Sequence, residues 1–122
     1  RITGDKDIRI TNCFSSDNGF CGINVESGEN EYGADGSLYK TMRGLYIGHC
    51  IADNNPGCPA IKNNHSGNGI VVANAQNAVV EYCEAANNGW DMPRVGNGPV
   101  GIWAWMSDHV TIQYCISYRN RT

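Results

Sequence analysis

The chain has 122 residues, a length that suits one modest domain, and its 41% hydrophobic content allows a packed core. The net charge is −3 and no run of Lys or Arg occurs, so nucleic acids and anionic membranes are not expected as partners. No apolar run approaches the roughly 18 residues that span a bilayer, and no signal peptide is visible.

Residues 1–122 are predicted to form a single all-β domain. Apolar residues show no sustained spacing of three and four, which would indicate helices. Short runs rich in Val, Ile, Tyr and Trp are instead separated by Gly and Asn, residues that accept turn conformations. The chain begins at Arg1 without a Met, so we expect a processed product or a fragment.

The first strand pair, before residue 20, contains a pattern that recurs three times. Each copy has a cysteine, a small residue two positions later and an asparagine five positions later. Aliphatic residues stand three positions before each cysteine. The cysteine column is Cys13, Cys50, Cys83 and Cys115; the asparagine column is Asn18, Asn55, Asn88 and Asn120; the small column is Ser15, Ala52, Ala85 and Ser117.

A second strand begins with Gly-Ile at Gly22, Gly69 and Gly101. The bare repeat is about 23 residues, and three insertions enter at two corners, at 27–42, 57–68 and 89–100. A repeat of this size without helices predicts a parallel β-solenoid, whose coils stack about 4.8 Å apart and align like residues in columns. The cysteine and aliphatic columns are then interior, and the asparagines form a hydrogen-bonded ladder at a bend.

The cysteines of the column are interpreted as buried free thiols, because zinc needs a tetrahedral set of ligands that a line of residues does not provide. Cys21 and Cys58 each stand eight residues after a column cysteine. They could form a disulfide if the chain is exported, or remain separate thiols.

Strand alternation predicts which residues face outward from the Gly-Ile strand. Ile23, Ile70 and Ile102 point inward, so Asn24, Val71 and Trp103 point outward, followed by Glu26, Ala73 and Trp105. With insertions on both sides, this outer face is predicted to be the floor of a groove. Aromatic faces stack on sugar rings, so the predicted substrate-binding residues are Trp103, Trp105, Trp90 and Asn24. The alternative is that flanking loops bury both Trp103 and Trp105 as ordinary packing.

Two kinds of catalysis are considered for this groove. Hydrolysis of a glycosidic bond needs two carboxyl groups, and Glu26 and Asp91 are the candidates. Elimination from a uronate needs a base and a neutralising charge, for which Arg94, His65 or Lys62 could serve. Asp108 and His109 lie in the turn between strands, where a capping or turn role is expected instead of catalysis.

The insertion at 27–42 adds Glu29, Glu31 and Asp35 to Glu26. Several carboxylates could hold Ca²⁺, although no established loop spacing is present. The alternative is a solvated loop. No zinc-ligand spacing and no phosphate-binding Gly loop is present, so the sequence indicates no other cofactor with certainty.

The segment Gly101-Ile-Trp-Ala-Trp-Met-Ser-Asp-His-Val-Thr-Ile-Gln-Tyr-Cys115 is similar to a stretch of bacterial β-helix-repeat proteins, and the whole repeat resembles the pectin-lyase-like group. The resemblance implies a right-handed parallel β-helix of about four coils, here a fragment without caps. It also implies a secreted bacterial protein that binds or cleaves a polysaccharide as a glycoside hydrolase or polysaccharide lyase. Other members are adhesins or spikes, so a non-catalytic, self-assembling β-helix is the alternative. Its uncapped ends would then contact missing sequence or another copy.

Overall fold

The computed structural model describes residues 2–3, 6–27, 30–32, 34–36, 38–40, 42–93 and 98–121. For residues 2–3, 30–32 and 38–40 the description covers the backbone. Throughout these ranges the structure is all-β, with strands joined by bends and turns and no helix. The described residues therefore contain no helix that could cross a membrane.

The strands follow one another in a repeating order and return to the same three sheets. Their bounds are β1 (Ile2–Thr3), β2 (Arg9–Thr11), β3 (Phe14–Ser16), β4 (Cys21–Glu26), β5 (Asn30–Tyr32), β6 (Leu38–Lys40), β7 (Met42–Arg43), β8 (Tyr46–Gly48), β9 (Ile51–Asp53), β10 (Asn68–Ala73), β11 (Ala75–Glu81), β12 (Glu84–Ala86), β13 (Ile102–Trp105), β14 (Asp108–Gln113) and β15 (Ile116–Tyr118).

Three parallel sheets are built from strands one repeat apart. The first sheet has the order β1-β4-β10-β13, the second β2-β8-β11-β14, and the third β3-β9-β12-β15. The insertion at 27–42 adds an antiparallel pair, β5 and β6, and the short strand β7 beside β11. This arrangement is compatible with a β-helix and consistent with a parallel solenoid.

The strand register aligns the columns that the sequence predicted. Ile70 pairs with Ile23 on one side and with Ile102 on the other. In the third sheet, Ala85 pairs with Ala52 and Ser117. The aliphatic interior is closely packed, and Ile47, Ile70, Val72 and Val80 are fully buried. Burial of these side chains is the main stabilising term for a fold whose single coils have no core of their own.

The column cysteines stack where the second sheet turns into the third. The carbonyl oxygens of Cys13, Cys50 and Cys83 each accept an amide N–H from the next coil at 2.9 Å. Each of the four thiols also donates to the carbonyl two residues earlier, as Cys83 does to Glu81 at 3.2 Å. All six cysteines are free, so Cys21 and Cys58 are separate thiols in this structure.

The asparagine column forms a continuous ladder at the turn from the third sheet to the first. Nδ2 of Asn18 donates to Oδ1 of Asn55 at 2.9 Å, and the pattern repeats to Asn88 and Asn120 at 2.8 Å. The residue before each ladder asparagine has a left-handed backbone, with φ between 50° and 59°. The ladder supplies hydrogen bonds to buried backbone amides at a turn that has no strand partner for them.

The glycine of the Gly-Ile strand is required by this ladder. A Cβ placed on Gly22 would lie 2.8 Å from the Ala52 Cβ and 2.8 Å from Asn55 Nδ2. Gly69 and Gly101 face the same columns one and two coils further on. The glycines thus face the interior, and strict alternation begins only at the following isoleucine.

Candidate functional site

The outer face of the first sheet carries the two predicted tryptophans. Trp103 pairs in register with Val71, and Trp105 pairs with Ala73. Their ring centroids lie 6.0 Å apart with an interplanar angle of 34°. Both side chains are half-buried, so part of each ring reaches solvent.

The prediction that the sheet face beside these tryptophans is the open floor of a groove is wrong. Val71 and Ala73 are buried, and Asn24 is 7% exposed. Phe20 and Trp105 pack on Val71, Ala73 and Cys21 as a second apolar cluster outside the sheet. The side chains of Phe20, before β4, and of Trp105, in the last coil, therefore cover the face that strand alternation predicted to be open. Asn24 offers little surface to a ligand.

His65 joins these aromatic residues from the second insertion. Its ring centroid lies 5.2 Å from that of Trp103, edge to face at 74°, and 5.2 Å from that of Phe20. We refer to Phe20, His65, Trp103 and Trp105 as the aromatic platform. Phe20 directly precedes β4, His65 lies in the second insertion, and both tryptophans lie in β13. These residues are distant in sequence and meet only in the folded structure.

A buried asparagine fixes the orientation of His65. Asn68 Oδ1 accepts the Val100 amide at 2.9 Å, which turns Asn68 Nδ2 towards His65 Nδ1 at 2.6 Å. Because an amide nitrogen only donates, Nδ1 accepts and the imidazole proton lies on Nε2. The same Asn68 nitrogen donates to the Cys21 thiol at 3.5 Å. Burial dominates at that thiol and raises the pKa of Cys21 to about 11, so it stays protonated.

The Trp105 indole nitrogen is buried and has no hydrogen-bond partner among the described residues. An unsatisfied buried donor costs about 1–3 kcal/mol. The ring is retained here by its packing against Val71 and Ala73, which lie in the adjacent strand.

The two predicted carboxylates lie in different elements, one in a strand of the first sheet and one in an insertion. Glu26 is the last residue of β4, half-buried, in the row of Ala73 and Trp105. Asp91 is exposed in the segment that leads into the sheet, where its amide donates to the Pro56 carbonyl at 2.9 Å. The structure thus joins His65 to Trp103 and Trp105, whereas Glu26 and Asp91 belong to different elements of the chain.

The remaining predicted site residues lie apart from the platform. Trp90 is 60% exposed, and its Nε1 donates to Asn54 Oδ1 at 3.0 Å at the corner between the third and first sheets. Lys62 is exposed in the second insertion. Arg94 lies outside the described residues.

The acidic insertion offers no metal site within the described part of the chain. No group of three His, Cys, Asp or Glu residues there could hold a metal ion. Asp35 is exposed, whereas Glu29 and the side chain of Glu31 lie outside the described residues. The Ca²⁺ expectation for this insertion stays a prediction.

Sequence reasoning missed one exposed column, which consists of the residues directly before the aligned cysteines. His49, Tyr82 and Tyr114 occupy it in three successive coils. The signal was present in the alignment, but the column is not chemically uniform, since the first coil has Asn12.

A scan against protein-family models and searches of curated proteins and of solved structures found no match to this chain.

Proposed function

We propose that this domain binds a polysaccharide on the aromatic platform and does not cleave it. The observation that carries the proposal is the half-exposed pair Trp103 and Trp105, with His65 held edge-on against Trp103. Tilted aromatic rings beside a fixed polar group suit sugar residues, which present C–H faces to a ring and hydroxyls to polar atoms.

Binding is favoured over cleavage by the positions of the charged groups. Hydrolysis needs two carboxyl groups about 5–10 Å apart, and none of the four residues of the aromatic platform is a carboxylate. Elimination needs a free base, and His65 Nδ1 already accepts from Asn68. Binding, in contrast, needs neither a second carboxyl group nor a free base beside the platform.

We propose that the solenoid is a right-handed parallel β-helix of about four coils, of a secreted bacterial type. The column alignment and the asparagine ladder support the parallel β-helix, and the resemblance of residues 101–115 to bacterial β-helix-repeat proteins is the basis for its hand and type.

A second candidate function, assembly, is favoured by the last coil. Ile112 is 43% exposed, whereas Val80, its partner one coil earlier, is fully buried. A further β-helix coil, from a longer chain or another copy, would cover this uncapped edge. Concentration-dependent sedimentation tests whether another copy of the chain provides this coil.

A polysaccharide panel tests the binding proposal. Neutral, uronic and amino polysaccharides are each scored for binding, for new reducing ends and for unsaturated uronate absorbance. We expect binding to at least one polymer without either product signal. Trp103→Ala should weaken that binding at least tenfold, whereas Phe14→Ala, a change at a 67% exposed aromatic residue of the third sheet, serves as the control. Absence of binding to every polymer would overturn the proposal.

A further inference from the structure

A second exposed aromatic surface runs along the corner between the second and third sheets. His49, Tyr82 and Tyr114 lie one above another in successive coils, with ring centroids 5.1 and 5.3 Å apart and interplanar angles of 13° and 11°. Tyr82 is 51% exposed and Tyr114 is 69% exposed. We call these three residues the aromatic stack. The aromatic stack lies between the second and third sheets, whereas the tryptophans of the aromatic platform lie in the first sheet.

The backbone turn at this corner does not require aromatic residues. His49, Tyr82 and Tyr114 have left-handed backbones with φ of 55°, 52° and 52°. Glycine and asparagine adopt this conformation most readily, and Asn12 occupies the same position of the first coil with φ 56°. Three coils place a ring where a small polar residue would suit the backbone better. The backbone conformation of the turn therefore does not explain the rings.

A groove of about 330 Å³ follows the aromatic stack on its third-sheet side. Ile51 and Ile116 line it with exposed apolar surface, 39% and 61% exposed, in the strands on either side of Glu84. This volume lies at the lower end of the range typical of small-ligand sites. Ring edges and isoleucine side chains give the groove apolar surface along the solenoid axis, beside the polar surface of Glu84 and His49.

Two carboxylates are held in place beside the stack. Glu84 lines the groove and accepts the Tyr118 hydroxyl at 2.7 Å. Glu81, the residue before Tyr82, accepts the Tyr46 hydroxyl at 2.9 Å and Gln113 Nε2 at 2.7 Å. A hydroxyl or amide donor leaves each carboxylate its negative charge and further lone pairs. No Lys or Arg is among the residues that line the groove.

We propose that this groove is a second glycan site, specific for a chain of amino sugars that lies along the aromatic stack. The apolar part of the lining suits the C–H faces of the sugar rings, and the Glu84 carboxylate in the groove attracts ammonium groups and repels uronates. The coil spacing of about 4.8 Å is comparable to the length of one pyranose residue in an extended chain, so successive coils can meet successive sugars. This site is independent of the platform and of the polymer that binds there.

Two variants test the site without disturbing the turn. Tyr82→Asn with Tyr114→Asn removes two rings and installs the residue that the first coil already uses at this position. Glu84→Gln removes the charge but keeps an oxygen for Tyr118. Thr111→Asn, an exposed change on the second sheet in the same coil as Tyr114, is the matched control. Circular dichroism and thermal unfolding confirm that each variant is folded.

The measurement is calorimetric titration with glucosamine hexamers, their N-acetylated counterparts and uronate hexamers at mildly acidic pH. We expect glucosamine hexamers to bind at least tenfold more tightly than either other chain. The double Asn variant and Glu84→Gln should each weaken this binding at least tenfold, and Thr111→Asn should change it less than twofold. Equal affinity for acetylated chains, or full affinity in the double Asn variant, would overturn the proposal.

The same titrations separate this site from the platform. If the platform ligand still binds the wild-type protein but glucosamine hexamers do not, the groove proposal alone fails. If glucosamine hexamers bind through Tyr82 and Tyr114 while no polymer depends on Trp103, the platform proposal alone fails. Self-association that disappears in the double Asn variant, without glycan binding, would instead identify the stack as a contact between copies and overturn the glycan site.

Discussion

Asn88 Oδ1 accepts two hydrogen bonds from Asn55, one from the side-chain Nδ2 at 2.8 Å and one from the backbone amide at 3.1 Å. Both residues are at most 1% exposed. A single amide oxygen thus satisfies two buried donors of the neighbouring coil, so the ladder joins the coils by side chain and by backbone at once.

Replacing Asn88 by Ala should therefore destabilise the fold by about 3 kcal/mol, because the buried Asn55 amide loses its acceptor and Asn55 Nδ2 loses its shortest hydrogen bond. Asn18→Ala is the matched control, since Asn18 is exposed at one end of the ladder, and it should cost under about 1 kcal/mol. Urea unfolding measures both values. Equal losses at the two positions would show that the ladder does not stabilise the interior.

Gly22→Ala should destabilise the protein by about 2–3 kcal/mol, since the new Cβ would overlap Ala52 and Asn55. Gly19→Ala provides the control, because its Cβ would meet nothing closer than 3.8 Å. Thermal unfolding of the two variants tests the difference. A Gly22→Ala protein as stable as Gly19→Ala would contradict the inward placement of this column.

Trp105→Phe should leave the stability unchanged or slightly raised, because the ring packing survives and a buried, unsatisfied N–H is removed. Trp105→Ala removes the packing on Val71 and Ala73 and should cost about 3 kcal/mol. Urea unfolding distinguishes the two. A loss above about 2 kcal/mol for the Phe variant would show that the indole N–H has a partner.

Stability should fall at alkaline pH because of the buried thiols. Burial raises the pKa of Cys83 from its usual 9.0 to about 11, so the folded state holds this proton more tightly than the unfolded state does. The resulting stability is fully present below about pH 9 and is lost as the pH rises towards 11. Urea unfolding between pH 7 and pH 11 should show this decline, and Cys83→Ala should make it smaller. A decline of the same size in Cys83→Ala would contradict this assignment.

The columns could be predicted from sequence because each serves one repeated environment. Asparagine, cysteine and alanine or serine recur wherever a ladder, a corner or a close approach recurs, as at Asn88, Cys83 and Ala85. Alignment of the cysteines was sufficient to find them. Alternation assigned faces from Ile23 onward, and the close approach of Gly22 to Ala52 and Asn55 is seen only in the structure.

The candidate site was predictable only in part. Strand period placed Trp103 and Trp105 on the outer face, and the register agrees. The burial of Val71 and Ala73 depends on Phe20 and Trp105, which approach from other coils. The pairing of Asn68 with His65 likewise depends on the path of an insertion, and insertions have no repeat from which that path could be predicted.

The most direct test of the account is the affinity of Trp103→Ala for the neutral or uronic polysaccharide that binds the wild-type protein most tightly in the panel. Trp103 is half-buried, contacts both His65 and Trp105, and lies at an edge strand where truncation disturbs little of the interior. The account predicts affinity at least tenfold weaker, with the thermal unfolding midpoint little changed. An affinity equal to that of the wild-type protein would contradict it.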